Sequence, residues 1–228
     1  MLWVQLAVLL VLASAVVLLL RQWPYPSPVI RWLLPARQRW PERQVRGWLQ
    51  AGDFHPGFLR FFNRDPERIP PPGDDLLAPA DGLVTSADCR DGIRYIVIAL
   101  SFWDMHVQRS PVAGRVVSVS PSGEAFTDGE GRDFAFLRAK HCPVQTRIVL
   151  ATELGEVAVR LITSVAARRI ETWCAAGQQV ARGQRIGRIL LGSTVVLEVP
   201  SSMSSQVAIG ERVQAGVTAI VARRSTHV

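Results

Sequence analysis

The sequence contains very little lysine and cysteine. Lys140 is its only lysine, and the three cysteines, Cys89, Cys142 and Cys174, lie far apart without a Cys-x-x-Cys pair. Their odd number and wide spacing favour neither a zinc site nor a disulfide framework, so we interpret them as reduced thiols. Lys140 lies in a polar stretch, which makes it a poor candidate for the internal Schiff base that pyridoxal phosphate enzymes require.

Charged residues are absent from the first twenty positions, MLWVQLAVLLVLASAVVLLL. An uncharged apolar run of this length predicts a transmembrane helix over residues 1–20. A cleaved signal peptide is the alternative, but the run lacks a basic start and continues past Ala13-Ser14-Ala15. We therefore expect a retained anchor.

The next segment, 21–65, begins with six arginines and four tryptophans against one acidic residue, Glu42, over positions 21–48. Arginine beside an apolar helix favours the cytoplasmic side, and tryptophan is typical of headgroup depth. The net charge of +7 also suits nucleic acid, but much of the excess lies next to the apolar run. We expect a helical juxtamembrane segment that contacts membrane lipid, with no nucleic-acid partner and the rest of the chain in the cytoplasm.

A sustained helical period is absent after Gly73. Pro70-Pro71-Pro72-Gly73 reads as a stiff linker, and short β-branched runs then recur between turn signals. We predict a mainly β fold, a compact antiparallel barrel- or sandwich-like domain over 66–228. The predicted strands are YIVIAL 95–100, GRVVSV 114–119, TRIVLAT 146–152, EVAVRLIT 156–163, STVVLEV 193–199 and VTAIVA 217–222.

One stretch, AAGQQVARGQRIGRI at 175–189, resembles the hairpin turns of lipoyl- and biotinyl-carrier domains. A carrier domain needs a modifiable lysine at the tip of the hairpin, and this stretch has none. A membrane-anchored, unprocessed adaptor of the same fold, without catalytic activity, therefore remains an alternative to an enzyme.

A small polar step, Gly192-Ser193, stands at the head of the apolar run TVVLEVP. Because glycine has no side chain, the serine hydroxyl can approach the Gly192 carbonyl and the backbone can adopt strained angles. Attack there converts the peptide to an ester, and elimination then leaves a dehydroalanine that hydrolyses to a pyruvoyl group. A lone Gly-Ser-Thr is more often an ordinary turn.

Four segments in order change that interpretation: FFNRDPERIPPPGDDLLAPADGLV 61–84, LSFWDMHVQRSPVAGRV 100–116, VARGQRIGRILLGSTVVLEVP 180–200 and, within the last, LGSTV 191–195. Together they resemble the phosphatidylserine decarboxylase family, in its short, membrane-anchored bacterial form. The resemblance implies self-cleavage between Gly192 and Ser193, which gives chains 1–192 and 193–228. It also implies a pyruvoyl cofactor made from Ser193, which forms a Schiff base with phosphatidylserine and releases CO2 and phosphatidylethanolamine.

The resemblance places the family's charge-relay aspartate on Asp81, its catalytic histidine on His106 and its self-cleaving serine on Ser193. Histidine is the side chain best suited to accept the serine proton near neutral pH, and a carboxylate orients and charges such an imidazole. No metal is expected. The two cleaved chains are expected to remain associated, and a homo-oligomer is left open.

Two departures from the family pattern stand out. Arg109 occupies the position at which longer members have a second histidine, and Gln145-Thr146-Arg147 replaces the usual Asn-Glu-Arg. Arginine is a fixed cation and not a base, so we consider Arg109 a candidate to hold a phosphate or carboxylate of the substrate. His141 is either a substitute base or a surface-loop histidine.

Overall fold

The computed structural model describes residues 2–22, 64–101, 104–123, 144–163, 169–190 and 194–223. The first element is a helix, α1 (Leu2–Gln22), which neither glycine nor proline interrupts. Its described side chains, at positions 3–16, are all exposed. Within the described residues, no helix is both long and apolar enough to pass through a membrane. The transmembrane span predicted over residues 1–20 is therefore not supported, although a helix forms there.

From residue 64 onward the described chain is β structure, and all six predicted strands are confirmed. The predicted juxtamembrane helical segment lies almost wholly outside the described residues. The strands are β1 (Leu76–Leu77), β2 (Gly82–Arg90), β3 (Ile93–Ala99), β4 (Val107–Arg109), β5 (Gly114–Ser122), β6 (Gln145–Thr152), β7 (Gly155–Ile162), β8 (Arg169–Thr172), β9 (Gln179–Val180), β10 (Arg185–Leu190), β11 (Thr194–Pro200), β12 (Arg212–Val213) and β13 (Ala219–Val221).

The largest sheet has eight strands in the order β12-β2-β3-β11-β7-β6-β5-β9. Every pairing in it is antiparallel, as predicted. The sheet curls into a half-barrel, and its two end strands do not pair with each other. The predicted barrel or sandwich is thus an open, curled sheet in the described part of the chain.

Two smaller sheets complete the described β structure. β10 lies between β4 and β8 in a three-stranded sheet, and β1 pairs with β13. In the large sheet, β11 holds the equivalent central place between β3 and β7. The chain therefore passes from the middle strand of one sheet to the middle of another across residues 191–193.

The apolar run of β11 is explained by burial on both faces of the sheet. Val195 and Leu197 belong to the main core, and Val196 packs with Val97 and Ile162 in a second buried cluster. A strand that is covered on both sides has no need for the polar alternation of a half-exposed strand. This burial fixes the strand that begins directly after the Gly192-Ser193 step.

Candidate active site

The three residues that the sequence assigns to catalysis each directly precede a strand. Asp81 precedes β2, His106 precedes β4, and Ser193 precedes β11. Gly192 and Ser193 themselves lie outside the described residues, as does His141. On either side of the Gly192-Ser193 step, Leu190 ends β10 and Thr194 begins β11, and both residues are buried.

The register of the large sheet brings Asp81 to the same edge as Thr194, the residue that follows the Gly192-Ser193 step. Leu83 of β2 pairs with Ala99 of β3, which in turn pairs with Thr194 of β11. Two strand spacings separate β2 from β11, a distance of about 10 Å. The backbone at this edge is tight, since a Cβ on Gly82 would clash with the Ala99 carbonyl oxygen. Glycine after Asp81 is therefore a packing requirement.

His106 is held beside β10, the strand that leads to the Gly192-Ser193 step. The Ile189 amide of β10 donates a hydrogen bond to the His106 carbonyl at 3.2 Å, and β4 and β10 pair from there onward. The side chain is 1% exposed. Burial lowers the pKa of His106 to about 4; the Asp104 backbone and the Asp81 charge oppose this shift, and Arg64 adds to it. His106 is thus a neutral imidazole near pH 7, able to accept a proton.

Asp81 has an arginine as its main partner. Arg68 donates to both carboxylate oxygens, at 2.5 and 2.8 Å, and the Ala215 amide donates a third hydrogen bond at 2.8 Å. Arg68 also donates to the Ala215 carbonyl at 2.8 Å. The sequence predicts that Asp81 orients and charges His106. Its charge does raise the pKa of His106, but it is the smallest of the four influences on that imidazole.

Sequence reasoning did not assign a role to the segment 64–68, Arg-Asp-Pro-Glu-Arg. In addition to Arg68, it contributes Arg64, whose pKa is lowered by burial and raised by the nearby charges of Asp104 and Asp81. Arg64 and Arg68 therefore bring two cations to the Asp81 and His106 region. The signal was present in the sequence, because this segment lies inside the first of the motifs shared with the decarboxylase family.

Arg109 is bound by the protein itself. Its guanidinium pairs with Asp65 at 2.6 Å and donates to the carbonyls of Gly183 and Pro66 at 3.2 and 3.3 Å. The residue is 4% exposed, and its side chain packs so closely on Gly216 that a Cβ there would lie 2.7 Å from Arg109 Cδ. The expectation that Arg109 holds a substrate anion is therefore not supported.

The replaced Asn-Glu-Arg segment takes part in a buried charge network. Arg147 of β6 and Arg160 of β7 both pair with Glu198 of β11, at 2.8 and 2.6 Å, and Glu198 is 3% exposed. Arg160 also donates to the side-chain oxygen of Gln145 at 2.9 Å. The pairs join three adjacent strands, so we interpret this network as structural.

Other groups in the described chain do not form a competing site. Among the described residues, no cluster of three or more His, Cys, Asp or Glu side chains is arranged to hold a metal ion. Cys89 and Cys174 are free thiols, and burial raises the pKa of Cys174. A cavity of about 670 Å³ lies where β5 begins and β6 ends, at the edge of the sheet opposite Thr194, and neither Asp81 nor His106 lines it.

Comparison with known proteins identifies the family. Residues 54–221 match the sequence model for phosphatidylserine decarboxylase. An Archaeoglobus fulgidus protein, provisionally named an archaetidylserine decarboxylase proenzyme, is 38% identical over 161 residues, covering 71% of this chain and 76% of that protein. The phosphatidylserine decarboxylase proenzymes of Streptomyces coelicolor and Streptomyces griseus are 36% and 33% identical, covering 72% and 87% of this chain and 72% and 89% of their own lengths. The chain therefore belongs to the phosphatidylserine decarboxylase family and is a decarboxylase.

Proposed function

We propose that the protein matures by cleaving itself between Gly192 and Ser193 and then decarboxylates phosphatidylserine to phosphatidylethanolamine. The observation that carries the proposal is the position of His106. A buried, neutral imidazole is held by its own backbone to β10, the strand that runs directly into the cleavage step. A base in this place fits the first proton transfer that the chemistry requires.

In the cleavage reaction, His106 takes the hydroxyl proton of Ser193 as its oxygen attacks the Gly192 carbonyl. The Gly192–Ser193 amide bond breaks, the amine gains a proton, and an ester joins the two residues. Removal of the α-proton of Ser193 expels the Gly192 carboxylate, which becomes the end of chain 1–192. This leaves residue 193 as a dehydroalanine at the start of chain 193–228. Hydrolysis then adds water, releases ammonia and leaves a pyruvoyl group.

The pyruvoyl group would supply a carbonyl that condenses with the substrate amine and accepts the electron pair left behind when CO2 departs. Asp81 and His106 fit such a site, since one offers a negative charge held by Arg68 and the other a proton acceptor shielded from water. After CO2 leaves, His106 is the side chain placed to return a proton to the substrate carbon. Its low proton affinity favours that donation once it is charged.

The substrate class rests on the relatives. Their names specify phosphatidylserine or archaetidylserine, two lipids that share a serine phosphate headgroup and differ in the lipid backbone. We propose that this headgroup is what the site recognises. Purified enzyme should release CO2 from phosphatidylserine vesicles, and vesicles of the archaeal lipid test whether the backbone also matters.

We further propose that α1 attaches the enzyme to the cytoplasmic side of the cell membrane. Its large side chains are exposed, including Trp3 at 81% and Leu10 at 68%, and an apolar surface of this kind is stable only against another apolar phase or partner. Deleting residues 1–22 should move the protein from the membrane fraction to the supernatant while cleavage continues. Recovery of the deleted protein in the membrane fraction would count against attachment by α1.

The decisive experiment is the mass of the purified chain under denaturing conditions. The wild type should give two chains, 1–192 and 193–228, and the second should carry a pyruvoyl end that reacts with hydroxylamine. Ser193→Ala should give one inactive full-length chain. A wild-type protein that stays whole would support the unprocessed adaptor instead.

A further inference from the structure

Gln108 is a buried amide to which the proposed reaction assigns no role. It is fully buried in β4, two residues after His106. Neither its Oε1 nor its Nε2 atom finds a hydrogen-bond partner among the described residues. Buried amides are nearly always hydrogen-bonded, because an unpaired one loses its bonds to water without replacement.

The pairing of β4 with β10 shows which way this amide points. Val107 lies opposite Arg188, and Gln108 lies opposite Gly187. The Arg188 side chain binds Glu171 and lies over the ring of Trp173, which is partly exposed, so that face is the one nearer to solvent, although Val107 on it is buried. Since successive residues of a strand alternate between faces, Gln108 points to the inner face.

His106 lies on the same inner side, by the same alternation. The neighbouring inner residue of β10, Ile189, is fully buried in the main core. Near Ile189, this face of the sheet thus presents two buried polar side chains, His106 and Gln108, whereas Thr172 of β8 lies on the same face farther along and is exposed. A fold that gains nothing from a polar residue at position 108 would be more stable with an apolar residue of similar size.

We propose that the side-chain amide of Gln108 hydrogen-bonds the serine headgroup of the lipid during decarboxylation, and the proposal rests on the function proposed above. The amide suits this headgroup because Nε2 can donate to a carboxylate or phosphate oxygen while Oε1 accepts from the amine. As a neutral donor, it binds a carboxylate without the strong attraction of an arginine, which would oppose departure of CO2.

The test is Gln108→Leu, with Gln145→Leu as the matched control. Gln145 is also a buried strand glutamine, but its amide is bonded to Arg160. Gln108→Leu should cleave at the wild-type rate, unfold at the same or higher urea concentration, and lose about tenfold in kcat/KM for phosphatidylserine, as expected for one lost hydrogen bond. Gln145→Leu should unfold at lower urea concentration and keep its kcat/KM.

Conservative rescue provides a second measurement. Gln108→Asn keeps the amide on a shorter side chain and should recover part of the lost kcat/KM, which a role in packing alone would not predict. The inference is overturned if Gln108→Leu keeps wild-type kcat/KM, if its activity falls only in step with its stability, or if cleavage is the step that slows. A wild type that neither cleaves nor releases CO2 would instead overturn the proposed function.

Discussion

At the scale of single residues, burial dominates the chemistry of His106. Removal of water lowers its pKa to about 4, and the opposing influence of Asp81 is the smallest of those acting on it. Asp81 is largely neutralised by the two hydrogen bonds from Arg68. Arg64 lowers the pKa of His106 and Asp81 raises it, so these two charges act against each other while burial keeps the imidazole neutral.

The first prediction is that self-cleavage tolerates mild acid. Since His106 stays neutral down to about pH 4, urea-denatured precursor refolded at pH 5.5 should cleave within about twofold of its rate at pH 7.5. An ordinary histidine with a pKa near 6.5 would retain about one-tenth of its neutral form at pH 5.5. A tenfold loss of rate at pH 5.5 would show that His106 titrates normally.

The same shift affects stability, and the sign follows from proton binding. Between pH 6.5 and about 4 the unfolded chain binds a proton at His106 that the folded chain does not bind, so the free energy of unfolding falls as the pH falls. Circular dichroism at each pH should accompany the cleavage measurement, so that rates are compared only where the protein is folded.

The second prediction concerns Arg68, the main partner of Asp81. In Arg68→Gln the Asp81 charge is no longer neutralised, so the pKa of His106 should rise and cleavage should slow at pH 5.5 relative to pH 7.5. Arg68→Lys retains the charge and should behave more like the wild type. Arg182→Gln is the control, because Arg182 donates to the Asp75 and Pro71 carbonyls at the opposite edge. Superimposable pH profiles for Arg68→Gln and wild type would exclude this role.

At the scale of secondary-structure elements, β11 connects the active site with the stability of the large sheet. It pairs along its length with β3 and β7. Its one buried charge, Glu198, is matched by two arginines from neighbouring strands, Arg147 and Arg160. The strand that follows the proposed cleavage site is thus fixed by backbone pairing, by apolar burial on both faces and by this ion network.

The third prediction is that Glu198→Ala destabilises the fold strongly. Removing the carboxylate leaves two facing arginines, 34% and 17% exposed, without their shared partner. The expected loss is about 3 kcal/mol in the free energy of unfolding by urea, at the lower end for a broken buried pair because Arg147 is partly hydrated. Glu153→Ala removes an exposed partner of Arg223 and should cost under about 0.5 kcal/mol. Equal losses in the two variants would contradict the structural role of Glu198.

Two of the strands that the sequence did not predict, β2 and β10, escaped prediction for a physical reason. β10 contains Gly187, and glycine ordinarily weakens a strand. The structure shows that a Cβ there would clash with the Glu171 carbonyl oxygen of β8, so glycine permits the close approach of the two strands. β2 begins at Gly82 for a similar reason. Apolar runs such as those of β3 and β11 predicted strands well because they are buried on both faces, whereas these two depend on neighbours distant in sequence.

At the scale of the whole molecule, the sequence shows which motifs are present and in what order. It could not predict which residues the site residues contact. Asp81 meets Ala215, 134 residues away, and Arg109 meets Asp65, 44 residues away. No local pattern encodes such contacts, because they depend on the strand order. The pairing that sets His106 beside β10 is of the same kind. For this reason the ion pair between Arg109 and Asp65 could be found only from the structure.

The strand order also determines how the two chains would be held together after the proposed cleavage. Chain 193–228 carries β11, β12 and β13, and each of these strands pairs with strands of chain 1–192: β11 with β3 and β7, β12 with β2, and β13 with β1. Cutting between β10 and β11 breaks none of these ladders, because the two strands belong to different sheets.

The fourth prediction is therefore that the two chains remain one folded unit. A tag at the C-terminus of the short chain should retain chain 1–192 through washing in native buffer, and the chains should separate only in denaturant. Uncleaved Ser193→Ala should match the wild type in native size, since both share the same sheets. The short chain contributes the central strand of the large sheet, so its loss would expose the apolar faces of β3 and β7. Release of chain 193–228 in native buffer would contradict this strand order.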